Sequence, residues 1–188
     1  MKSAVAILTY RRLPVLQMMM RGLEEHCPQY QTAIFEDCGQ RDATEDYLCA
    51  GRVKTPVSEL MADQYPVPEN PLEPAAHYPN AAVFLGQQNL GVAGNSNRAL
   101  KWFMNGDCDH LCLCNDDLFV KGDFVQFYAQ AHKDLGVGLF CFCDFTHHES
   151  YKWTTYRWRG YGMKFLPRFT GIMMSITREL VEKGNPAI

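Results

Sequence analysis

A chain of 188 residues, 47% of them hydrophobic, is long enough for one domain with its own core. Its formal net charge of −3 supplies no global attraction for a polyanion. No apolar run approaches the length of a bilayer span, and residues 4–8 are too short for a secretory signal before Tyr10-Arg11-Arg12 interrupts them, so a soluble, cytoplasmic protein without a transmembrane segment is expected.

Residues 4–9 (AVAILT) form an apolar run ending in a polar residue, the profile of a buried parallel strand. Pro14 suits a first helical turn, and Leu13, Leu16, Met20 and Leu23 recur at helical spacing behind it. A second strand at residues 32–36 (TAIFE) ends at Glu36-Asp37-Cys38-Gly39. Residues 52–80 hold six of the ten prolines and read as an excursion without regular structure. A third strand at residues 81–85 (AAVFL) leads to NLGVAGNSNRAL, residues 89–100, a glycine-rich turn running into a helix that puts Leu100, Phe103 and Met104 on one face.

A fourth strand, HLCLC at residues 110–114, ends in the acidic cluster Asn115-Asp116-Asp117. Phe124, Phe127, Tyr128 and Ala131 make the apolar stripe of the next helix. A fifth strand follows at residues 137–143. Residues 151–168 contain five basic residues, six large aromatics and no acid. They read either as two amphipathic strands packed on the sheet or as a seat for a glycan or an exposed nucleic acid. GIMMSI, residues 171–176, is a last strand, and Thr177 can cap a final helix ended by Gly184. Strands alternating with helices predict an α/β domain with a mainly parallel sheet spanning residues 1–188.

Eight cysteines admit three readings, of which a secreted disulfide scaffold is disfavoured because such domains are usually much smaller and lack such a core. Cys112/Cys114 and Cys141/Cys143 are CxC pairs in strand-like runs, so four sulfurs could converge on zinc if those strands are neighbours, with His147 and His148 nearby. Otherwise they are reduced, buried thiols.

Ligands of open α/β sheets bind beyond the carboxyl ends of the strands. Four polar clusters fall at such ends: Thr9-Tyr10-Arg11, Glu36-Asp37, Asn89 with Gly91, and Asn115-Asp116-Asp117. A single such cluster is ordinary turn chemistry, and Asp116-Asp117 alone could simply open a loop or cap a helix. Four together suit a nucleotide diphosphate and its divalent cation. The GxGxxG, GxxxxGK[ST] and GxSxG patterns are all absent, which disfavours dinucleotide, P-loop and serine-hydrolase chemistry.

ILTYRR, FEDCG, QQNLGVAGNSNRAL, LCLCNDD and FTGIMMSITREL stand in the order and rough spacing of family 2 glycosyltransferases. The chain resembles that family, and within it the rhamnosyltransferase-like branch, whose NxGxxGxxN helix start matches Asn89, Gly91, Gly94 and Asn97. The resemblance implies a GT-A type Rossmann-like α/β/α sandwich. It implies transfer of a sugar from a UDP- or dTDP-linked donor to an acceptor hydroxyl, inverting and dependent on Mn2+ or Mg2+.

By the same resemblance Thr9, Tyr10 and Arg11 lie against base and diphosphate, and Asp37, with Glu36 as rival, meets base or ribose. Asn89, Gly91, Asn97 and Arg98 form the helix start near the donor. Asp117 binds the metal, Asn115 stands where many members have aspartate, and Asp116 contacts ribose or sugar. A divalent cation offsets the charge that develops on the diphosphate leaving group, and a carboxylate base takes the acceptor's proton.

Related sequences continue beyond the final GNPAI into an acidic segment that supplies this base. Either the chain is cut short, or its base comes from elsewhere, with Asp144 and Glu149 as the substitutes, or it binds donor without efficient transfer. Residues 145–188 are the acceptor side, and His147 and His148 are either loop residues or a further metal candidate. The acceptor is a glycan, a lipid-linked molecule or a nucleic acid, with Arg157 and Arg159 as contacts for its phosphates. Two other readings compete. A sugar-nucleotidyltransferase would need a glycine- and lysine/arginine-rich loop after the first strand. A non-catalytic carbohydrate- or nucleic-acid-binding module on a degenerate transferase fold would suit the missing base segment.

Overall fold

The computed structural model describes residues 1–37, 42–49, 71–72, 81–86, 88–142, 155–164 and 173–184. In chain order these form β1 (Ser3–Thr9), α1 (Leu13–His26), β2 (Gln31–Glu36), α2 (Ala43–Cys49), β3 (Pro71–Leu72), β4 (Ala81–Leu85), α3 (Gly91–Asn105) and β5 (His110–Asn115). They continue as α4 (Phe124–Leu135), β6 (Leu139–Phe142), β7 (Thr155–Trp158), β8 (Tyr161–Lys164), β9 (Met173–Thr177) and α5 (Arg178–Gly184).

Seven strands make one sheet in the order β3-β4-β2-β1-β5-β9-β6. Its centre is parallel: β4, β2, β1 and β5 pair in the same sense, while β3 and β9 run against their neighbours. The centre reads as unbroken apolar sequence because both faces are covered. Val5, Ile7, Ile34, Val83, Cys112 and Cys114 face one core with Leu16, Met19 and Met20 of α1, Leu48 of α2 and Val125 of α4. Ala4, Ala6, Phe35, Leu111 and Leu113 face the other, with Ala99 and Phe103 of α3 and Val181 of α5. The result is the α/β/α sandwich expected, mainly parallel at its centre.

Three points differ from the sequence reading or add to it. The CxC strands are not neighbours, because β9 inserts between β5 and β6, pairing Cys112 with Ser175 and Cys141 with Met174. With strands spaced about 4.8 Å apart, the sulfurs of β5 and β6 cannot share one tetrahedral metal without distorting the sheet. Cys112 and Cys114 are free thiols, and burial pushes both well above the ordinary thiol range. Second, α2 was not anticipated, although Asp42 caps it by accepting from the Thr44 and Glu45 amides at 2.9 and 3.1 Å. Third, Pro71–Leu72, inside the proline-rich stretch, adds an antiparallel edge strand to β4.

The basic, aromatic segment contains the antiparallel hairpin β7–β8. Trp158 and Tyr161 pack edge-on against Phe127 of α4, with centroids 5.2 and 4.9 Å away. Cys38, Cys143, Asp144, His147, His148 and Glu149 lie outside the described residues, as do most of 52–80 and all of 185–188.

Candidate functional site

The carboxyl ends of the four parallel strands are joined into one row. The Gly86 amide donates to the Glu36 carbonyl at 2.6 Å, the Asp37 amide to the Thr9 carbonyl at 3.1 Å, and the Asp116 amide to the Leu8 carbonyl at 3.1 Å. Ladder hydrogen bonding thus runs one residue past each strand end. The backbones of Asp37, Thr9 and Asp116 are consequently adjacent across β2, β1 and β5, with Thr9 and Asp116 meeting on the α1 side and Asp37 turned toward α3.

The β5 end carries the charge. Asp116 is fully buried, and its carboxylate accepts from the Thr9 hydroxyl at 2.7 Å and from the Arg12 guanidinium. Asp117 is exposed and accepts from the same guanidinium at 3.1 Å. Burial raises the Asp116 pKa above the ordinary carboxylate value, against the opposing pull of Thr9 and Arg12. On Arg12, burial is outweighed by the two aspartates, and its pKa is raised. Asn115 is half-buried at the strand's last position.

Arg12, rather than Arg11, faces these acids. Arg11 has φ 54, the left-handed region uncommon for a residue with a side chain, which reverses the chain directly after Tyr10. Its own guanidinium is 3.8 Å from Asp42 and lies 5.8 Å from the ring centre of the exposed Tyr10. Arg12 then caps α1 with its carbonyl, accepting from Val15 and Leu16, and sends its side chain across to β5.

The β2 end works differently. Asp37 is 3% exposed, and one carboxylate oxygen accepts from the Leu90 amide at 2.9 Å. The other, Oδ1, is buried 3.9 Å from the Arg98 guanidinium, with no hydrogen-bond partner among the described residues. Burial raises the Asp37 pKa despite the Leu90 amide and Arg98. Glu36 is also buried, and its charge, with that of Asp37, supports the Arg98 guanidinium against a pKa lowered by burial.

The glycine-rich turn shows why its pattern is needed. Asn89 accepts the Gly91 amide on its own side chain at 2.8 Å, an Asx turn, and Gly91 takes φ 69, where a Cβ would be strained. A Cβ on Gly94 would sit 2.5 Å from that of Leu90. Of the two polar residues expected beyond this turn, Asn97 is exposed and Arg98 is 1% exposed beneath the sheet's edge. Arg98 donates to Asn95 Oδ1 and the Leu85 carbonyl, both at 3.1 Å, while Asn95 donates to the Phe35 carbonyl at 2.9 Å. Arg98 therefore props the helix start from within.

Two contributors escaped the sequence reading. Arg12 was signalled by its place two residues before Pro14, where a side chain at a helix start points back toward the strand ends. Asn95 was signalled by its spacing of four from Ala99 and eight from Phe103, both core residues, which puts it on the buried face.

No protein-family model and no curated protein matches this chain. Solved structures do. A mannosyltransferase, PcManGT from Pyrobaculum calidifontis in complex with GDP-Man and Mn2+, aligns at TM-score 0.61 and 18% identity, over 97% of this chain and 46% of its own. S. aureus TarS aligns at TM-score 0.50 and 14% identity, over 75% of this chain and 35% of its own. This chain has the GT-A glycosyltransferase fold. It spans less than half the length of either structure, 46% and 35%.

Within the GT-A fold the strand-end row can be tested for a divalent cation. Asp116 and Asp117 offer the hard carboxylate oxygens that Mg2+ and Mn2+ prefer, and they already hold a cationic group between them. Among the described residues there is no group of three or more His, Cys, Asp or Glu that could hold a metal. One or two carboxylates, with phosphate and water completing the shell, is a usual arrangement for Mg2+ at nucleotide sites. The donor set fits.

Proposed function

We propose that this chain is the donor-binding core of a glycosyltransferase that takes its sugar from a nucleotide diphosphate, UDP- or dTDP-linked, in the manner of the rhamnosyltransferase-like branch. The observation that carries the reading is the row itself. A buried carboxylate with an unsatisfied oxygen, a threonine hydroxyl and a pair of aspartates bridged by an arginine lie at the tips of three adjacent parallel strands. That is where a ligand of an open α/β sheet binds.

In this reading Asp37 Oδ1 accepts from an N–H or O–H of base or ribose, which would satisfy an atom otherwise costly to bury. Thr9 holds Asp116 oriented, and the Tyr10 ring is exposed to flank the base. Asn89 and Gly91 shape the turn that opens α3 toward the donor, with Asn97 on its exposed side and Asn115 beside the acids. Asp117, with Asp116 beside it, would hold Mn2+ or Mg2+, which would supply charge neutralisation for the departing diphosphate. The acceptor hydroxyl attacks the anomeric carbon opposite the leaving group, and its proton passes to Asp144 or Glu149. Glycan, lipid-linked and nucleic-acid acceptors all suit the basic, aromatic hairpin.

The test is release of nucleoside diphosphate from UDP- and dTDP-sugars with Mn2+ present. Asp117→Ala is expected to lower the rate by about two orders of magnitude, since the leaving group then departs without its cation. A rate that ignores both this substitution and chelation contradicts the metal assignment.

A further inference from the structure

We propose that Arg12 is a displaceable counter-ion: it occupies the cation position between Asp116 and Asp117 in the unliganded protein and transfers to the donor's diphosphate when a divalent cation enters. The inference rests on the donor-site reading above and gives its bridging arginine a role during binding, which that reading leaves unassigned.

Asp116 is fully buried and Asp117 is its exposed neighbour, so two carboxylates lie close together, one of them removed from water. An unpaired buried carboxylate is costly, and a like charge beside it adds to the cost. Arg12 relieves both, with one guanidinium nitrogen on each aspartate. The Arg12 side chain is itself 46% exposed, so it is anchored at the backbone and free along its outer edge. Its main chain is fixed independently, because its carbonyl caps α1 through Val15 and Leu16. The side chain can therefore leave the aspartates without disturbing the helix. The place it would go is set by chemistry. A guanidinium fork binds phosphate oxygens as well as carboxylates, and a diphosphate chelated by a cation at Asp116 and Asp117 would come within its reach, since Arg12 already touches both acids. Arg12 would then oppose binding of the metal alone and favour binding of metal and diphosphate together.

The test measures Mn2+ affinity of the full chain by calorimetry, without nucleotide, for wild type, Arg12→Lys and Arg12→Met. Removing the competing cation should tighten Mn2+ binding about tenfold in Arg12→Met, with Arg12→Lys between. The melting temperature of Arg12→Met should fall without metal and recover with Mn2+. A purely structural role for Arg12 would not strengthen metal binding. In the second arm, UDP is titrated at saturating Mn2+, and its affinity should fall in Arg12→Met as the phosphate loses a partner.

Equal or weaker Mn2+ affinity in Arg12→Met overturns the counter-ion proposal, even where wild type binds UDP with Mn2+. Failure of wild type to bind UDP, dTDP or GDP, with or without Mn2+, instead refutes the donor-site reading beneath it.

Discussion

At the N-terminal end of the sheet, four side chains form a chain of hydrogen bonds whose proton positions follow from one fixed acceptor. His132 Nδ1 lies 2.5 Å from the Val137 carbonyl, which can only accept, so Nδ1 carries the proton. His132 Nε2 must then accept from the Ser175 hydroxyl at 2.9 Å. Ser175 in turn accepts from His110 Nε2–H at 2.7 Å, and His110 Nδ1 accepts from Ser3 at 2.9 Å. The two rings are thus opposite tautomers, both neutral. Burial, with His132 adding to it, pushes the His110 pKa down to about 3, and burial also lowers that of His132.

A depressed histidine pKa favours the unfolded state wherever that state binds the proton and the fold does not. Stability from this group is full above the unfolded value near 6.5 and falls as pH drops toward 3, at about 1.4 kcal/mol per pH unit for His110. Imidazole nitrogen spectra should show His110 protonated at Nε2, His132 at Nδ1, and His110 still neutral at pH 5. A charged His110 at that pH would refute the network. Ser175→Ala, which strands a donor and an acceptor, should cost about 2–4 kcal/mol in urea unfolding.

Among the elements, α3 depends on one residue from the far end of the chain. Arg178, the first residue of α5, donates to the carbonyls of Phe103, Met104 and Cys108 at 2.8 Å and of Gly106 at 2.9 Å, and lies 4.9 Å over the Phe103 ring. The Phe103, Met104 and Gly106 carbonyls end α3, Cys108 follows in the turn, and all would otherwise seek water at a half-buried site. The positive guanidinium also suits the helix's C-terminal dipole. Arg178→Met keeps the stem and removes the donors, so the melting midpoint should fall by the equivalent of about 2–3 kcal/mol. A change within experimental scatter would show that water replaces the arginine without cost.

The elements legible in sequence were those with a strong local pattern. β1, β4 and β5 read correctly because burial on both faces leaves uninterrupted apolar runs. The α4 stripe and the Asx-glycine start of α3 are written in single residues at fixed offsets. What was not legible was order across the sheet. Nothing local announces that β9 pairs antiparallel with β5 and separates it from β6, because strand pairing is a long-range choice. α2 has only seven residues and its cap at Asp42, a pattern easily read as a loop.

On the scale of the whole molecule, the candidate site was legible in outline and not in detail. Strand ends could be placed by pattern, which brings Thr9, Asp37 and Asp116 to the tips of adjacent strands; their roles are the proposal made above. Which of two adjacent arginines turns inward depended on the left-handed backbone at Arg11, which no residue type signals. The inward turn of Arg98 followed from helix phase, and the resemblance, which gives function before facing, did not carry it.

No helix among the described residues is long and apolar enough to cross a membrane, and the two ends of the parallel sheet differ in kind. One end is sealed by Ser3, His110, His132 and Ser175, and the other gathers acids and an arginine. Catalysis in this account belongs wholly to the second. Mn2+ is paramagnetic and broadens amide resonances near it, so titrating the isotope-labelled protein with Mn2+ and UDP, dTDP or GDP locates the cation without relying on activity. The account predicts broadening that is strongest at Asp116 and Asp117, extends to Thr9 and Arg12, and weakens along the strands toward Ser175 and then Ser3. Broadening centred on the histidine end, or none at any nucleotide concentration, would contradict it.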